Sequence, residues 1–362
     1  MRIRLFRVFS ALLLVSVLAP ALSPPAKAQE LTKVRFGVSP FQDTLLPIVG
    51  EEMGWYEEEG LDVEFVILGW TEVQEALAAG EVDVAINNIT SVIATHERFP
   101  EFVYWYGFNI FDQGAALMAG PEYMSVEEFE AEGMARDEAI KAALDQMRGK
   151  TVITTGNTDM EQAVVGAAYR NGLDYTKDFQ IVDLNPDEGL AAFLSGQGDF
   201  YLGGIAQRTR ASQEGRKAIV SGPDLAPPPI NGIVTTAEYA AANQDVLLSL
   251  LHVWFRIVNF VQDDTDAGAQ IVLDTLNSQT GSNMSVDDFK TFWQNYETFP
   301  LTPEEVQSEI LDPDGYSFWR NNWDDSNRYF HDVKGSISAP LDPEGVFLME
   351  EAQEAYLAKY GG

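Results

Sequence analysis

The sequence predicts an α/β protein built as two similar lobes, each a mainly parallel sheet flanked by helices. Three observations carry this. A short unit is written twice, as Leu77-Ala78-Ala79-Gly80-Glu81-Val82-Asp83-Val84-Ala85 and as Phe193-Leu194-Ser195-Gly196-Gln197-Gly198-Asp199-Phe200-Tyr201. Each copy reads as a helix stopped by Gly, then Asp, then a short apolar strand. Each follows its own Gly-Leu-Asp turn, Gly60-Leu61-Asp62 or Gly172-Leu173-Asp174, and its own strand, 61–68 or 179–184. Helical and extended patterns alternate around both copies, which favours parallel strands with helices on the faces. Two such halves imply a cleft, and a cleft implies a ligand.

The elements follow in order. Residues 33–39 alternate and predict a strand; 42–53 predict a helix closed by Gly54. Strand 62–68 leads to helix 71–79, with Thr71 as its N-cap. Strand 82–86, helix 90–98 and strands 102–108 and 115–119 complete the first series. Residues 121–147 are polar and acidic, with helical stretches, and read as a crossing linker plus an insertion. The second series is strand 150–154, helix 159–170, strand 179–184, helix 186–194, strand 199–202, helix 206–214 and strand 218–221. Pro227-Pro228-Pro229 marks a rigid turn. Residues 233–235 predict a strand returning to the first half. Helical segments then follow at 244–262, 267–278, 286–297, 303–309, 316–330 and 343–359. The division expected is 29–118 for lobe one, 119–233 for lobe two, and 234–362 for the return and C-terminal helices, with crossovers near 119 and 233.

Residues 1–28 differ in kind. Arg2, Arg4 and Arg7 precede an apolar run at 9–18, Pro20, Pro24 and Pro25 break it, and Ala26-Lys27-Ala28 offers a cleavage site. That order predicts an export signal cleaved near Ala28. The run is too short and too broken to span a bilayer, which takes roughly 20 residues, and no other segment reads as spanning. The chain has no cysteine, so neither disulfides nor a thiol for a lipid anchor are available. A protein free in a Gram-negative periplasm is expected. The 56 acidic residues outnumber 23 basic ones, for a net charge of −33. Such a surface repels nucleic acid and anionic lipid. The excess reads as a solvated surface suited to a salty habitat, and a monomer is expected.

In a parallel sheet, ligands bind beyond the carboxyl ends of the strands. The loops that qualify carry Phe41 and Gln42, Trp70, Asn87 and Asn88, then Gly156, Asn157 and Thr158, then Asn185-Pro186-Asp187, then Gly204. Thr154-Thr155-Gly156-Asn157-Thr158 joins a strand to a helix start, where free backbone N–H groups suit an anion or polar head group. An ordinary helix cap explains the same residues equally well. Trp70 could stack on a ligand. Tyr104, Trp105, Tyr106 and Phe108 could cage a cation, but aromatics on both faces of a strand are usually core. Arg208 or Arg210 could fork onto an anion or simply face solvent.

Catalytic signatures are missing. His96, His252 and His331 lack zinc-hydrolase spacing, and neither G-x-S-x-G nor a helix-opening G-x-G-x-x-G occurs. Asp312-Pro313-Asp314-Gly315 lacks the rest of a calcium loop and reads as a turn. Acid pairs are too abundant to single out a glycosidase. No cofactor and no metal are expected.

Several stretches together carry a resemblance: Val34-Arg35-Phe36-Gly37-Val38-Ser39, then Glu51-Glu52-Met53-Gly54-Trp55-Tyr56 running on to Gly60-Leu61-Asp62-Val63-Glu64, then 76–83, and Arg148-Gly149-Lys150-Thr151-Val152 leading into Thr155-Gly156-Asn157-Thr158. From about 33 to 222 the chain resembles the periplasmic solute-binding proteins of ABC importers for sulfonates, taurine, nitrate and thiamine-precursor pyrimidines. The resemblance implies a two-lobed type II periplasmic-binding fold, with the C-terminal helices packed on lobe one. It implies a small polar solute, sulfonate-, carboxylate- or heterocycle-like, captured without chemistry and delivered to ABC permease subunits in the inner membrane. It puts ligand contacts at Phe41, Gln42, Trp70, Asn87, Asn88, Gly156, Asn157, Thr158 and the Gly204 region. Two stretches depart from the family pattern: the long acidic segment 121–147, and Gly203-Gly204-Ile205-Ala206-Gln207 in place of a Trp-Asp-Pro-like segment. A cytosolic pyrimidine synthase of the same fold needs a Cys-rich segment, which this chain lacks. The rival readings are an exported hydrolase using carboxylates in the same cleft, and a sensing domain for a membrane kinase.

Overall fold

Ten strands among residues 31–361, which the computed structural model describes, form two five-stranded sheets. The export segment read at 1–28 lies outside the described residues. In chain order the strands are β1 (Thr32–Val38), β2 (Leu61–Ile67), β3 (Val84–Asn88), β4 (Phe102–Ile110), β5 (Ala116–Ala119), β6 (Thr151–Thr154), β7 (Gln180–Asp183), β8 (Phe200–Tyr201), β9 (Lys217–Ser221) and β10 (Ile230–Thr236). The first sheet runs β2-β1-β3-β10-β4 and the second β7-β6-β8-β5-β9. β10 is antiparallel to both its neighbours, and β5 to both of its own. Each sheet is therefore mixed, with a single reversed strand beside its middle one, and each is flanked by helices as predicted.

The duplicated unit explains itself here. Gly80 and Gly196 take positive φ, 69° and 82°, to end their helices where a side chain would be strained. The Asp83 N–H donates to Arg35 O while Asp83 Oδ2 accepts from the Arg35 N–H at 2.8 Å. The Asp199 N–H donates to Thr151 O while Asp199 Oδ2 accepts from the Thr151 N–H at 2.9 Å. Each aspartate thus ties the start of one strand, β3 or β8, to its parallel neighbour, β1 or β6. Arg35 and Lys150 add ion pairs at the same two places.

Three expectations shift. β5, read as ending the first lobe, pairs in the second sheet. The chain accordingly changes sheets at 111–115, before the acidic segment, and returns at 222–229. Residues 121–147 are no linker. They form helices Val126–Ala131 and Arg136–Asp145, which bury Val126, Ala139, Ala143 and Leu144, and the Ser125–Glu128 capping box starts the first. Thr71 keeps helical angles and caps nothing; its hydroxyl donates to Glu72 Oε2 at 3.2 Å. Helices read in the right places also begin or end differently, as with Pro47–Glu52 for 42–53 and Met349–Tyr360 for 343–359.

The aromatic strand β4 is core, not cage. All nine residues are buried, Tyr104 stacks on Phe347 and Phe108 on Trp254. Trp254 belongs to helix Gln244–Asp263, which by length and composition is apolar enough to cross a membrane. The sequence pattern predicts this helix at 244–262 but not as a span. Its Leu247, Leu251, Val253, Ile257, Val258 and Val261 are buried against the first lobe, which is how a core helix uses such a composition. At the other end of the chain, helix Trp319–Arg328 packs on helix Ile89–Thr95 and meets the second lobe. Ser326 bonds both Thr90, at 2.9 Å, and Gln162, at 3.0 Å.

Candidate functional site

The carboxyl ends of β1 and β6 face each other across one cavity, with about 520 Å3 of empty space including its opening. Phe41, Gln42, Asp43, Trp70, Phe111 and Asn231 come from the first sheet's side. Thr155, Thr158, Asp159, Met160, Pro186, Gly204 and Ile205 come from the second. The lobes touch at the rim: a Cβ on Gly204 would lie 3.0 Å from the Phe41 ring. A side chain there would push that ring back by a few tenths of an ångström. Phe41 in turn meets Trp70 edge-on, centroids 5.9 Å apart, and the Trp70 indole N–H donates to Ser91 Oγ at 3.2 Å. A mouth lined by Pro40, Gly69, Glu72, Asn185, Asp187, Glu188 and Gln207 continues outward.

Of the residues singled out in the sequence, Phe41, Gln42, Trp70, Thr158 and Gly204 meet on this cavity. The others are elsewhere. Asn87 and Asn88 are buried at the end of β3, where Asn88 Oδ1 caps helix Ile89–Thr95 by accepting from the Ser91 N–H. The Gly156 N–H donates to Asp183 Oδ1 at 2.7 Å and the Asn157 N–H to Glu161 Oε2 at 2.8 Å. The protein's own carboxylates thus occupy the donors read as an anion site. Asn157, at φ 58°, is exposed and its side chain accepts from Lys334. Arg208 donates to Gln113 O at 2.5 Å and lies over the Tyr296 ring, strapping the crossover and not the cavity. Arg210 pairs with Glu214 at the surface.

The residues that sequence reasoning missed are acids. Asp43, Asp159 and Glu297 are buried, at 5%, 7% and 5% exposure, and none has a cationic partner among the described residues. Asp43 Oδ2 accepts from Asn231 Nδ2 at 2.8 Å, Asn231 also donates to Asn109 Oδ1, and Asn109 donates to Glu297 Oε2 at 2.6 Å. Burial, with repulsion from Asp159 added, pushes the Asp43 carboxyl up to about 6 against these donors. Burial likewise pushes Asp159 up to about 6, against the Asn88 side chain and the backbone N–H groups of Asp159 and Met160; Asn88 Nδ2 has no hydrogen-bond partner. Glu297, deeper still, rises well above the carboxylate range through burial and then through Asp43. Nothing in their sequence context marks them. Asp43 sits in a turn and Asp159 opens a helix, both ordinary places for aspartate. Among the described residues no group of three His, Cys, Asp or Glu side chains is arranged to hold a metal.

Comparison with known proteins follows the fold. The periplasmic aliphatic sulphonate binding protein SsuA from Escherichia coli superposes with a TM-score of 0.64 at 13% identity, over 87% of this chain and 91% of that one. The alkanesulfonate-binding SsuA from Xanthomonas axonopodis pv. citri, bound to MOPS, gives 0.63 at 12%, over 89% and 98%. The periplasmic nitrate-binding protein NrtA from Synechocystis PCC 6803 gives 0.60 at 14%, over 92% and 99%. No curated protein sequence matches the chain. The fold is that of the periplasmic binding proteins. The model described as the NMT1-like family matches residues 27–273, well over half of the sequence, and the chain is a member of the NMT1-like family.

Proposed function

We propose that this protein is the exported solute receptor of an ABC importer. It captures a small polar organic solute between its lobes and hands it unchanged to permease subunits in the inner membrane. The observation that carries the reading is a single cavity walled by both lobes at the carboxyl ends of their strands. A solute that touches both walls stabilises the arrangement in which they meet, so binding and closure are one event. Phe41, Gln42, Trp70, Thr158 and Gly204 are the contacts proposed from this geometry. Periplasmic residence and a cleaved signal fit the structural neighbours and the order of residues 1–28.

The test is native mass spectrometry on protein purified under mild conditions, followed by incubation of the released solute with fresh protein. Recovery of the solute at unchanged mass, with a fall in radius of gyration on binding, supports a receptor. A second reading has one observation behind it. Two carboxyls near pKa 6 in a cleft are also what an acid–base hydrolase uses. Appearance of a hydrolysed product would favour that reading and end the first.

A further inference from the structure

The cavity has a sign. Its two ionisable side chains, Asp43 and Asp159, are both acids, and Glu72, Asp187 and Glu188 line the mouth. No Lys, Arg or His lines either part. The mouth acids are exposed, like most acids of this chain, and carry no argument. Asp43 and Asp159 are different, because a buried carboxylate without a counter-charge is costly.

Hydrogen-bond supply points the same way. The Thr155 hydroxyl donates to Leu184 O at 2.9 Å, and the Thr158 hydroxyl to Thr155 O at 2.6 Å. Both hydrogens of Asn231 Nδ2 are taken by Asp43 and Asn109, and the Trp70 N–H is taken by Ser91. Gln42 Nε2 gives one hydrogen to Glu297, which leaves its buried Oε1 on the cavity wall without a partner. Gln207 repeats the pattern at the mouth: Nε2 donates to Asp187 and buried Oε1 has no partner. Vacant acceptors on Gln42 and Gln207 beside two carboxylates suit a guest that brings its own N–H groups; the buried Asn88 Nδ2, also without a partner, lies beside Asp159. The uncapped start of helix Ile205–Gln213 leaves backbone donors, which do not offset two carboxylates. An acceptor-only anion such as a sulfonate or nitrate would meet Asp159 where a helix start would otherwise welcome it.

We propose that the solute is a small organic cation of the amidinium or guanidinium class, bonded through its N–H groups by Asp43 and Asp159 and covered on its flat face by Trp70. The proposal rests on the receptor reading and assigns its ligand chemistry. Quaternary ammonium compounds, which carry no N–H, fall outside it.

The experiment uses one ring with opposite charges. Benzamidine and benzenesulfonate are titrated into the protein at pH 7.5 by calorimetry and thermal shift. Benzamidine is expected to bind and raise Tm, and benzenesulfonate to do neither. Asp43→Asn and Asp159→Asn are each expected to weaken benzamidine at least tenfold, with circular dichroism unchanged. Preference for benzenesulfonate, or benzamidine affinity unmoved in both variants, overturns the cation assignment and leaves the receptor standing. Binding of neither probe, together with no solute released in native mass spectrometry, overturns both.

Discussion

Asp159→Asn is expected to stabilise the ligand-free protein while it damages the binding site. Burial takes the carboxyl from 3.8 to about 6, a rise of about two pH units at about 1.4 kcal/mol each. Holding the anion at pH 8 therefore costs the empty fold about 3 kcal/mol. Asn keeps the shape and removes the charge. At about 2 °C per kcal/mol for a chain of this size, Tm should rise by about 6 °C. The sign depends on pH. A raised acid pKa means that the folded state holds its proton more tightly, so the stability it supplies is present below about pH 4 and lost as pH rises through about 6. Wild type and variant should converge near pH 4 and separate by pH 7. Thermal unfolding of dialysed, solute-free protein at pH 4, 6 and 8 reads this directly. A variant less stable than wild type at pH 8, or a gap of equal size at pH 4 and pH 8, would refute the claim that this carboxylate lacks a counter-charge.

Other outcomes follow from the same geometry. Trp70→Ala should weaken binding of the co-purifying solute at least tenfold by calorimetry, because the indole is a wall of the cavity. Affinity for a cationic solute should fall as pH drops through about 6, where Asp43 and Asp159 take up protons. The groups facing Asp43 are Asp159, Glu297, the Asn231 amide and the backbone N–H groups of Asp43 and Thr44. Calorimetry across pH 5–8 checks it. Asp83→Ala and Asp199→Ala should each cost about 1–3 kcal/mol in urea unfolding by leaving a strand N–H unpaired, with solute affinity unchanged. Asn157→Gly should hold its fold and its affinity, because its positive φ and exposed position ask for neither a Cβ nor the amide at the cavity.

How far the sequence could be read depended on range. The doubled Gly-Asp unit was legible because its work is local: a turn, a helix stop and a reciprocal pair of hydrogen bonds. Phe41, Trp70 and Gly204 were legible because loops after parallel strands converge by topology. The partner sheet of Ala116–Ala119 was not. Four buried apolar residues say strand without saying whose. Nor was the burial of Asp43 and Asp159, which depends on Asn231 and on walls more than a hundred residues away. Gly156 and Asn157 carried the pattern of an anion cradle, but Asp183 and Glu161 fill it from outside the motif.

The reversed strand of the first sheet has a kinetic consequence. β10 sits between β3 and β4 and supplies the hydrogen bonds that join them. A chain emerging from its N-terminus can form β1, β2 and β3 early, yet β4 has no neighbour until residues 230–236 arrive. Closing that gap spans more than a hundred residues, the kind of long loop that slows assembly. The first lobe therefore finishes last, after the second sheet has all five of its strands. Severing the chain ahead of Ile230 should yield a second lobe able to pair fully and a first lobe left in two pieces.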